Sequence, residues 1–150
     1  MTNEELKQYI SQQIPEAVFE EGQFLNAIVE GNKAFSLLKS LQENPETDFD
    51  YLFCESGVDW KDFFYVVYHL SSKKHRHTVV VKAKITDRVN PQIESIAGIW
   101  KTAEMNELEI FDLFGIKFIN HPNLRRLFLD DTWGFPLRKD YTDETNIVGL

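Results

Sequence analysis

The sequence predicts an α+β domain with a mainly antiparallel sheet of about four strands and helices on one face of that sheet. One helix is indicated by apolar residues at i, i+3, i+4 and i+7 between Ala34 and Leu41. A strand with one solvent-exposed face is indicated by the alternation of side chains from Thr78 to Ile85. The chain has 150 residues and 43% hydrophobic content, which is enough for one domain with a substantial core.

The first predicted element is a short helix from Glu4 to Gln13, capped by Thr2 or Asn3. Its apolar residues fall on one side, and Pro15 ends it because proline has no N–H for the next helical hydrogen bond.

Strand material and a second helix come next. Residues 17–30 alternate as a strand does, with a turn or bulge at Gly22. Asn32 is the predicted cap of the helix that follows, and Asn44-Pro45 ends that helix.

Three further strands are predicted in the middle of the chain. Residues 49–54 form the first, and residues 57–59 turn out of it. Residues 63–70 are apolar on both faces, which favours a central strand. The polar turn over residues 71–77 joins this strand to the alternating one in an antiparallel hairpin.

Helical segments are predicted after the hairpin. Pro91 suits a helix start, so residues 92–98 are expected to form one or two turns. Thr102 is the predicted cap of a longer helix to Phe114, and Gly115 suits the left-handed residue that ends it.

The last part of the chain loses periodicity at Asn120, and no helix or strand is predicted from there to Tyr141. The stretch is rich in Leu, Phe, Trp and Arg, a composition that argues against disorder. We therefore divide the chain into a sheet domain, residues 1–119, and an extended C-terminal arm, residues 120–150, of the same unit. The arm's apolar groups are expected to be buried against a partner protein.

Composition excludes several classes of function. The formal net charge of −8 counts against nucleic-acid or anionic-membrane binding as the main task. The single cysteine, Cys54, rules out an internal disulfide and a thiolate cluster for metal, so a reducing cytoplasmic setting is expected. The N-terminus has no apolar signal-peptide core, and the longest apolar run, residues 63–68, is too short to span a bilayer.

Glu107 is the first candidate functional residue, because it falls on the apolar face of the last helix. Burying an ionised carboxylate is costly unless it is paired. Either the helix register lets Glu107 face water, or Glu107 pairs with an arm arginine, most simply Arg125 or Arg138. Asp112 is a second candidate for that ion pair.

Acid–base, metal and phosphate sites have weaker support. His75 and His77 lie in a polar turn with no carboxylate or thiol beside them, and His121-Pro122 is more typical of a turn than of catalysis. None of the seven glycines forms a phosphate-binding loop. Arg125-Arg126 and Arg138-Lys139 can grip an anion, but salt links to a partner's carboxylates are simpler in an acidic chain. Trp133 and the arginines are residue types that carry interface energy.

A long motif runs from the last predicted helix into the arm: EIFDLFGIKFINHPNLRRLFL, followed by WGFPLRKDY. It closely resembles the pattern of the 30 kDa subunit family, the C subunit of respiratory NADH–quinone oxidoreductase (complex I). The resemblance covers about residues 32–141, and Leu108, Asn120 and Asn123 depart from the pattern. The matching residues that we take as motif and partner-interface positions are Glu107, Asp112, His121, Pro122, Arg125, Arg126, Trp133, Arg138, Lys139, Asp140 and Tyr141.

The resemblance implies a component of the peripheral arm that holds no cofactor itself. NAD, FMN, iron–sulfur clusters and quinone would belong to partner subunits. The expected partners are the hydrogenase-like large D subunit and the iron–sulfur B subunit, on the cytoplasmic face of the inner membrane. The C-terminal arm of this chain, residues 120–150, would hold the quinone-reducing module together. The chain would contact the membrane only through the complex.

Three alternatives remain at this point. The first is the equivalent subunit of a membrane-bound energy-converting hydrogenase. The second is a stand-alone enzyme that uses His121 with Glu107 or Asp112 as an acid–base pair, which requires these side chains to converge on a pocket. The third is a free-standing anion-binding module that uses the arginines.

Overall fold

The computed structural model describes residues 2–127, 129 and 134–139. Within them the chain forms three helices and seven strands. The elements are α1 (Asn3–Gln13), β1 (Val18–Glu20), β2 (Leu25–Glu30), α2 (Gly31–Glu43), β3 (Tyr51–Asp59), β4 (Phe64–Ser72), β5 (His77–Ile85), β6 (Gln92–Glu94), α3 (Ala103–Phe114) and β7 (Lys117–Ile119).

The main sheet is mixed and has the strand order β1-β2-β5-β4-β3. Neighbouring strands are antiparallel except β2 and β5, which are parallel and pair Leu25 with Val79 through Glu30 with Lys84. A parallel pair needs a crossover connection, and α2 begins that connection directly after β2. The predicted α+β class and mainly antiparallel sheet are confirmed, with five strands in this sheet.

One core joins the three helices to one face of the sheet. Alternate residues of β5, from Val79 to Ile85, are buried in the same cluster as Leu6 and Ile10 of α1, together with the apolar residues of α2 and α3. The opposite face carries Lys82 and other partly exposed side chains. The buried face of the strands, on which every second side chain lies, thus packs against the apolar faces of the helices, which repeat about every 3.6 residues.

A β-bulge in β3 changes which of its residues face the helices. Pairing with β4 shifts between Leu52 and Cys54, so Phe53 is the extra residue. Leu52 faces the core before the bulge, and Glu55 faces it afterwards. Glu55 is directly opposite Tyr68, which is fully buried. A bulge inserts one residue, so it reverses the alternation on its strand.

Two predicted elements are wrong. Residues 57–59 do not turn but continue β3, because they pair with residues 64–66 of β4. Gly57 leaves room for the ring of Phe114 over this end of the strand. Residues 92–98 do not start a helix; Gln92–Glu94 form β6, which pairs in parallel with β7. Local proline preference was outweighed there by pairing with a strand that the sequence did not indicate.

The helix termini follow the sequence in part. The side chain of Thr2 caps α1 by accepting a hydrogen bond from the Glu5 N–H at 3.2 Å. The predicted Asn32 cap is wrong, because α2 starts at Gly31 with no side-chain cap. Thr102 precedes α3 without capping it, and Gly115 ends α3 with φ 77°.

Candidate partner-docking site

Helix α3 is the scaffold of the candidate site. Its apolar residues pack against β3, where a Cβ on Gly57 would lie 2.9 Å from Phe114 Cδ2 and 3.3 Å from Ile110 Cγ2. This close approach fixes the helix over the end of the strand. The motif carboxylates Glu107 and Asp112 lie on α3 and are both 0% exposed.

Glu107 is held by neutral donors, so both sequence interpretations of it are wrong. Its Oε1 accepts a hydrogen bond from Ser95 Oγ at 2.5 Å, and its Oε2 accepts one from the Ile96 N–H at 3.1 Å. Burial raises the pKa of the Glu107 carboxyl, and these two hydrogen bonds act in the opposite direction. Glu107 neither faces water nor pairs with Arg125 or Arg138; it ties α3 to the segment after β6.

Asp112 takes the role that was expected of Glu107. Arg126 Nε donates to Asp112 Oδ1 at 2.7 Å, and the Leu129 N–H donates to Oδ2 at 3.1 Å. Arg126 also donates to the Gly134 carbonyl at 3.0 Å and lies 5.1 Å from the centre of the Phe135 ring. The buried carboxylate therefore fastens the start of the C-terminal arm, residues 120–150 and from here on called the C-terminal segment, to α3.

Residues 134–139 return to the end of the same helix. Arg138 Nε donates to the Phe114 carbonyl at 2.5 Å, and the Leu137 N–H donates to the Leu113 carbonyl at 3.0 Å. These contacts satisfy backbone carbonyls in the last turn of α3. A Cβ on Gly115 would lie 2.6 Å from the Phe135 ring, so the glycine is required for space as well as for its positive φ.

A charged junction forms where β3 ends. Arg88 Nη1 and Nη2 donate to Asp59 at 2.6 and 3.1 Å, and the N–H groups of Lys61 and Lys139 donate at 2.7 and 2.9 Å. Burial alone would raise the pKa of Asp59, but the hydrogen bonds from Arg88, Lys139 and Lys61 lower it to about 2. Asp59 thus joins β3, the segment after β5 and the C-terminal segment.

His121 shapes a turn, as the sequence predicts. Its Nδ1 accepts from the Asn123 N–H at 3.0 Å, so Nε2 carries the proton donated to the Glu104 carbonyl at 2.9 Å. Pro122 lies in the same turn. Since both ring nitrogens of His121 are used, and the carboxylates of Glu107 and Asp112 bind Ser95 and Arg126, the acid–base pair loses its support.

The arginine-based anion site also loses support. Arg126 and Arg138 both bind groups of their own chain. Arg125 is exposed and donates to the neighbouring Arg126 carbonyl at 3.3 Å, and the exposed Lys139 lies 5.9 Å from the centre of the Trp60 ring. The geometry therefore leaves Arg125 and Lys139 as the outward-facing cations among the predicted interface residues that the structure describes.

An open pocket of about 300 Å³ lies beside this junction. Trp60 and Leu137, 54% and 44% exposed, are at its rim, while Gly57 and Phe114 form its floor. Lys139 supplies a positive charge at the edge. Aromatic and aliphatic groups beside a cation are typical of a protein-contact surface.

Three predicted interface residues, Trp133, Asp140 and Tyr141, lie outside the described residues.

Sequence reasoning missed four residues that the geometry makes important: Gly57, Asp59, Arg88 and Ser95. Placing residues 57–59 in a turn hid Gly57 and Asp59, and no spacing in the sequence connects Arg88 or Ser95 to a distant carboxylate.

In the part of the chain that the structure describes, no three side chains of His, Cys, Asp or Glu come together to hold a metal ion. No helix there is long and apolar enough to cross a membrane.

The fold and the contacts define a class of protein: an α+β fold whose motif charges hold a C-terminal segment against one helix. The match to known families is specific. Residues 27–146 match the family described as respiratory-chain NADH dehydrogenase, 30 Kd subunit, so the chain belongs to that family.

Curated relatives carry corresponding names. The chain is 48% identical over 99 residues to the NADH-quinone oxidoreductase C/D subunit of Phocaeicola vulgatus, covering 65% of this chain and 19% of that protein. It is 42% identical over 104 residues to the C subunit of the same enzyme in Chloroherpeton thalassium, covering 67% and 43%. It is 36% identical over 134 residues to the C subunit of Roseiflexus sp. strain RS-1, covering 85% and 76%. The chain thus spans about a fifth of the C/D relative and less than half of the Chloroherpeton protein.

A solved structure has the same fold. A chain of the membrane-bound sulfane sulfur reductase, an archaeal respiratory membrane complex, aligns with a TM-score of 0.77 and 24% identity, covering 93% of this chain and 85% of that one. At this identity the likeness bears on the fold alone.

Proposed function

We propose that the chain is the C subunit of a proton-translocating NADH–quinone oxidoreductase, in its peripheral arm. The observation that carries the proposal is the family match over residues 27–146, together with relatives named as subunits of that enzyme. The chain itself contributes no cofactor in this proposal. NAD, FMN, iron–sulfur clusters and quinone belong to its partners, and the chain lies on the cytoplasmic face of the membrane.

The principal partner is the large D subunit. Support comes from relatives named as C/D subunits, in which a segment like this chain makes up about a fifth of one polypeptide. A fusion holds its two parts at high effective concentration, so a pair found fused in some organisms is a reasonable pair of separate partners in others. The iron–sulfur B subunit is the second proposed partner, on the basis of the motif's resemblance to the 30 kDa family.

The docking surface is formed by the C-terminal segment, residues 120–150. Among the described residues it offers Arg125, Lys139 and Leu137 to a partner, beside the exposed ring of Trp60. Arg126 and Arg138 act indirectly, because they hold the segment to α3. Trp133, Asp140 and Tyr141 remain predicted members of the same surface.

Capture of the large D subunit by the purified chain tests this proposal. We expect Arg125→Glu to weaken capture at least tenfold, because charge reversal at an interface turns attraction into repulsion. Its melting temperature should stay within about 2 °C of wild type, since exposed substitutions change stability by about 0.5 kcal/mol or less. Lys101→Glu is the matched control, an exposed cation just before α3 and outside the segment.

Equal loss of capture in both variants would show that only net charge matters and would contradict a docking role for the segment. Failure of the wild-type chain to capture the large D subunit at all would contradict the assignment of this partner.

The second candidate is the equivalent subunit of a membrane-bound energy-converting hydrogenase. The departures from the 30 kDa pattern at Leu108, Asn120 and Asn123 favour keeping it. Mass spectrometry of the proteins that co-purify with the native protein distinguishes the two. NADH-binding subunits support the oxidoreductase, and a large subunit with nickel–iron ligands supports the alternative.

A further inference from the structure

Two glutamates of different elements face each other in the core. Glu107 of α3 is 0% exposed, and Glu55 of β3 is 3% exposed. Glu55 reaches this position because the bulge at Phe53 reverses the alternation of β3 and turns it toward α3. The two carboxyl groups lie close enough for each to affect the ionisation of the other.

The two carboxyls are not equivalent. Glu107 accepts hydrogen bonds from Ser95 Oγ and the Ile96 N–H, which stabilise its charged form. With both carboxyls ionised, neither oxygen of Glu55 has a hydrogen-bond donor among the described residues, because the group within its reach, the Glu107 carboxylate, can only accept. Tyr68 Oη, across the strand from Glu55, also has no partner among these residues. Buried polar atoms without partners are uncommon and costly in folded proteins.

The titratable groups around Glu55 and Glu107 do not balance the two negative charges that the pair would carry if both carboxyls were ionised. From β4 the titratable neighbour is Tyr68, from β3 it is the Cys54 thiol, and from the turn after β7 His121 lies near Glu107. The described hydrogen bonds and ion pairs of Glu55 and Glu107 include no lysine or arginine. Two ionised carboxylates side by side in such a site repel each other strongly.

We propose that Glu55 and Glu107 form a buried site that binds one proton at neutral pH, carried on Glu55 and shared toward the Glu107 carboxylate. The bound proton removes one charge from the core and gives Glu55 a donor. Burial is the main cause that raises the pKa of Glu55, followed by the charge of Glu107. Burial, added to the negative charge of Glu107, also raises the pKa of the Tyr68 hydroxyl. The site connects β3 to α3, the helix that holds the C-terminal segment.

Infrared spectroscopy of the intact protein tests the site directly. A protonated carboxyl has a carbonyl stretch that ionised carboxylates lack, and the band shifts when H₂O is replaced by D₂O. We expect wild type at pH 7 to show this band and Glu55→Gln to lose it. Glu109→Gln, two residues from Glu107 but exposed on α3, is the control and should keep the band. Absence of the band in wild type at pH 7 would overturn the proposal even if the variant failed to fold.

Stability against pH gives an independent test. The folded-state pKa of Glu55 lies above its unfolded value near 4.5, so the folded chain binds the extra proton. The equilibrium constant for unfolding of the wild-type chain should therefore rise as the pH rises from near 4.5 to the folded-state pKa of Glu55. For one proton, this rise is at most about tenfold per pH unit. Glutamine mimics the protonated side chain at every pH. The ratio of the wild-type constant to that of Glu55→Gln is expected to increase from pH 4.5 to pH 8.

Urea unfolding at several pH values measures that ratio, with Glu109→Gln as the reference for surface charge. A ratio that stays constant over the range, or that follows the ratio for Glu109→Gln, would overturn the proposal.

Discussion

At the scale of single residues, two carboxylates on one helix are stabilised by different means. Asp112 is balanced by a cation, Arg126, and by the Leu129 N–H, whereas Glu107 has neutral donors and a second carboxyl nearby. A buried carboxylate whose partner is removed keeps its desolvation cost without the compensating attraction. Asp112 is therefore the residue most dependent on the C-terminal segment.

Replacing Arg126 is expected to destabilise the fold itself. Arg126→Ala leaves Asp112 buried without its cation, which costs about 3 kcal/mol of unfolding free energy. Urea unfolding at pH 7 measures the change. Arg125→Ala, next in sequence but exposed, is the control and should change the free energy by less than about 0.5 kcal/mol. Equal effects of the two substitutions would mean that the Asp112–Arg126 pair does not carry this stability.

At the scale of elements, the contact of α3 with β3 depends on a missing side chain. A Cβ at Gly57 meets Cδ2 and Cε2, on one edge of the rigid Phe114 ring, rather than the tip of a flexible side chain. Gly57→Ala should therefore push the helix outward and lower the unfolding free energy by about 1–3 kcal/mol, the usual cost of overpacking. Gly98→Ala is the control, because nothing lies within 4 Å of a Cβ there. Thermal unfolding compares them, and a Gly57→Ala variant as stable as Gly98→Ala would contradict this packing.

The junction at Asp59 predicts a pH effect of opposite sign to that of Glu55. The pKa of Asp59 is lowered from 3.8 to about 2 in the folded chain, so its stabilisation is complete above pH 3.8 and is lost as pH falls through about 2. Asp59→Asn should be less stable than wild type at pH 7, with the difference shrinking toward pH 2. Asp62→Asn, exposed in the following turn, controls for charge and should show no such trend. Urea unfolding at pH 7, 5 and 3 follows the difference, and a difference independent of pH would contradict the junction.

The same elements show how far sequence reasoning reaches. Helices α2 and α3 were predictable because apolar spacing is local, and so was the hairpin of β4 and β5. The bulge at Phe53 and strand β6 were not, since each depends on a partner far away in sequence. Asp112 was predictable as an ion-pair candidate, but which arginine it binds depends on the path of the chain after Asn120.

At the scale of the whole molecule, the described part of the C-terminal segment is attached to its own domain. Arg126, Leu137, Arg138 and Lys139 all contact α3 or the end of β3. A partner that binds this segment therefore meets a surface already positioned by the domain. Such a surface loses little conformational entropy on binding, which favours affinity.

Truncation tests whether the segment is a structural part of the domain. A chain that ends at Ile119 loses the partners of Asp112 and the contacts over Gly115, whereas a chain that ends at Lys139 keeps every contact described above. We expect the shorter chain to melt well below the longer one and to lose protection from hydrogen exchange along α3, because a buried carboxylate and the helix's last carbonyls become unpaired. Hydrogen exchange with mass spectrometry locates the loss, and thermal unfolding measures its size. Identical melting temperatures and unchanged exchange in α3 would mean that residues 120–139 form a free arm, whose only role is then in the partner.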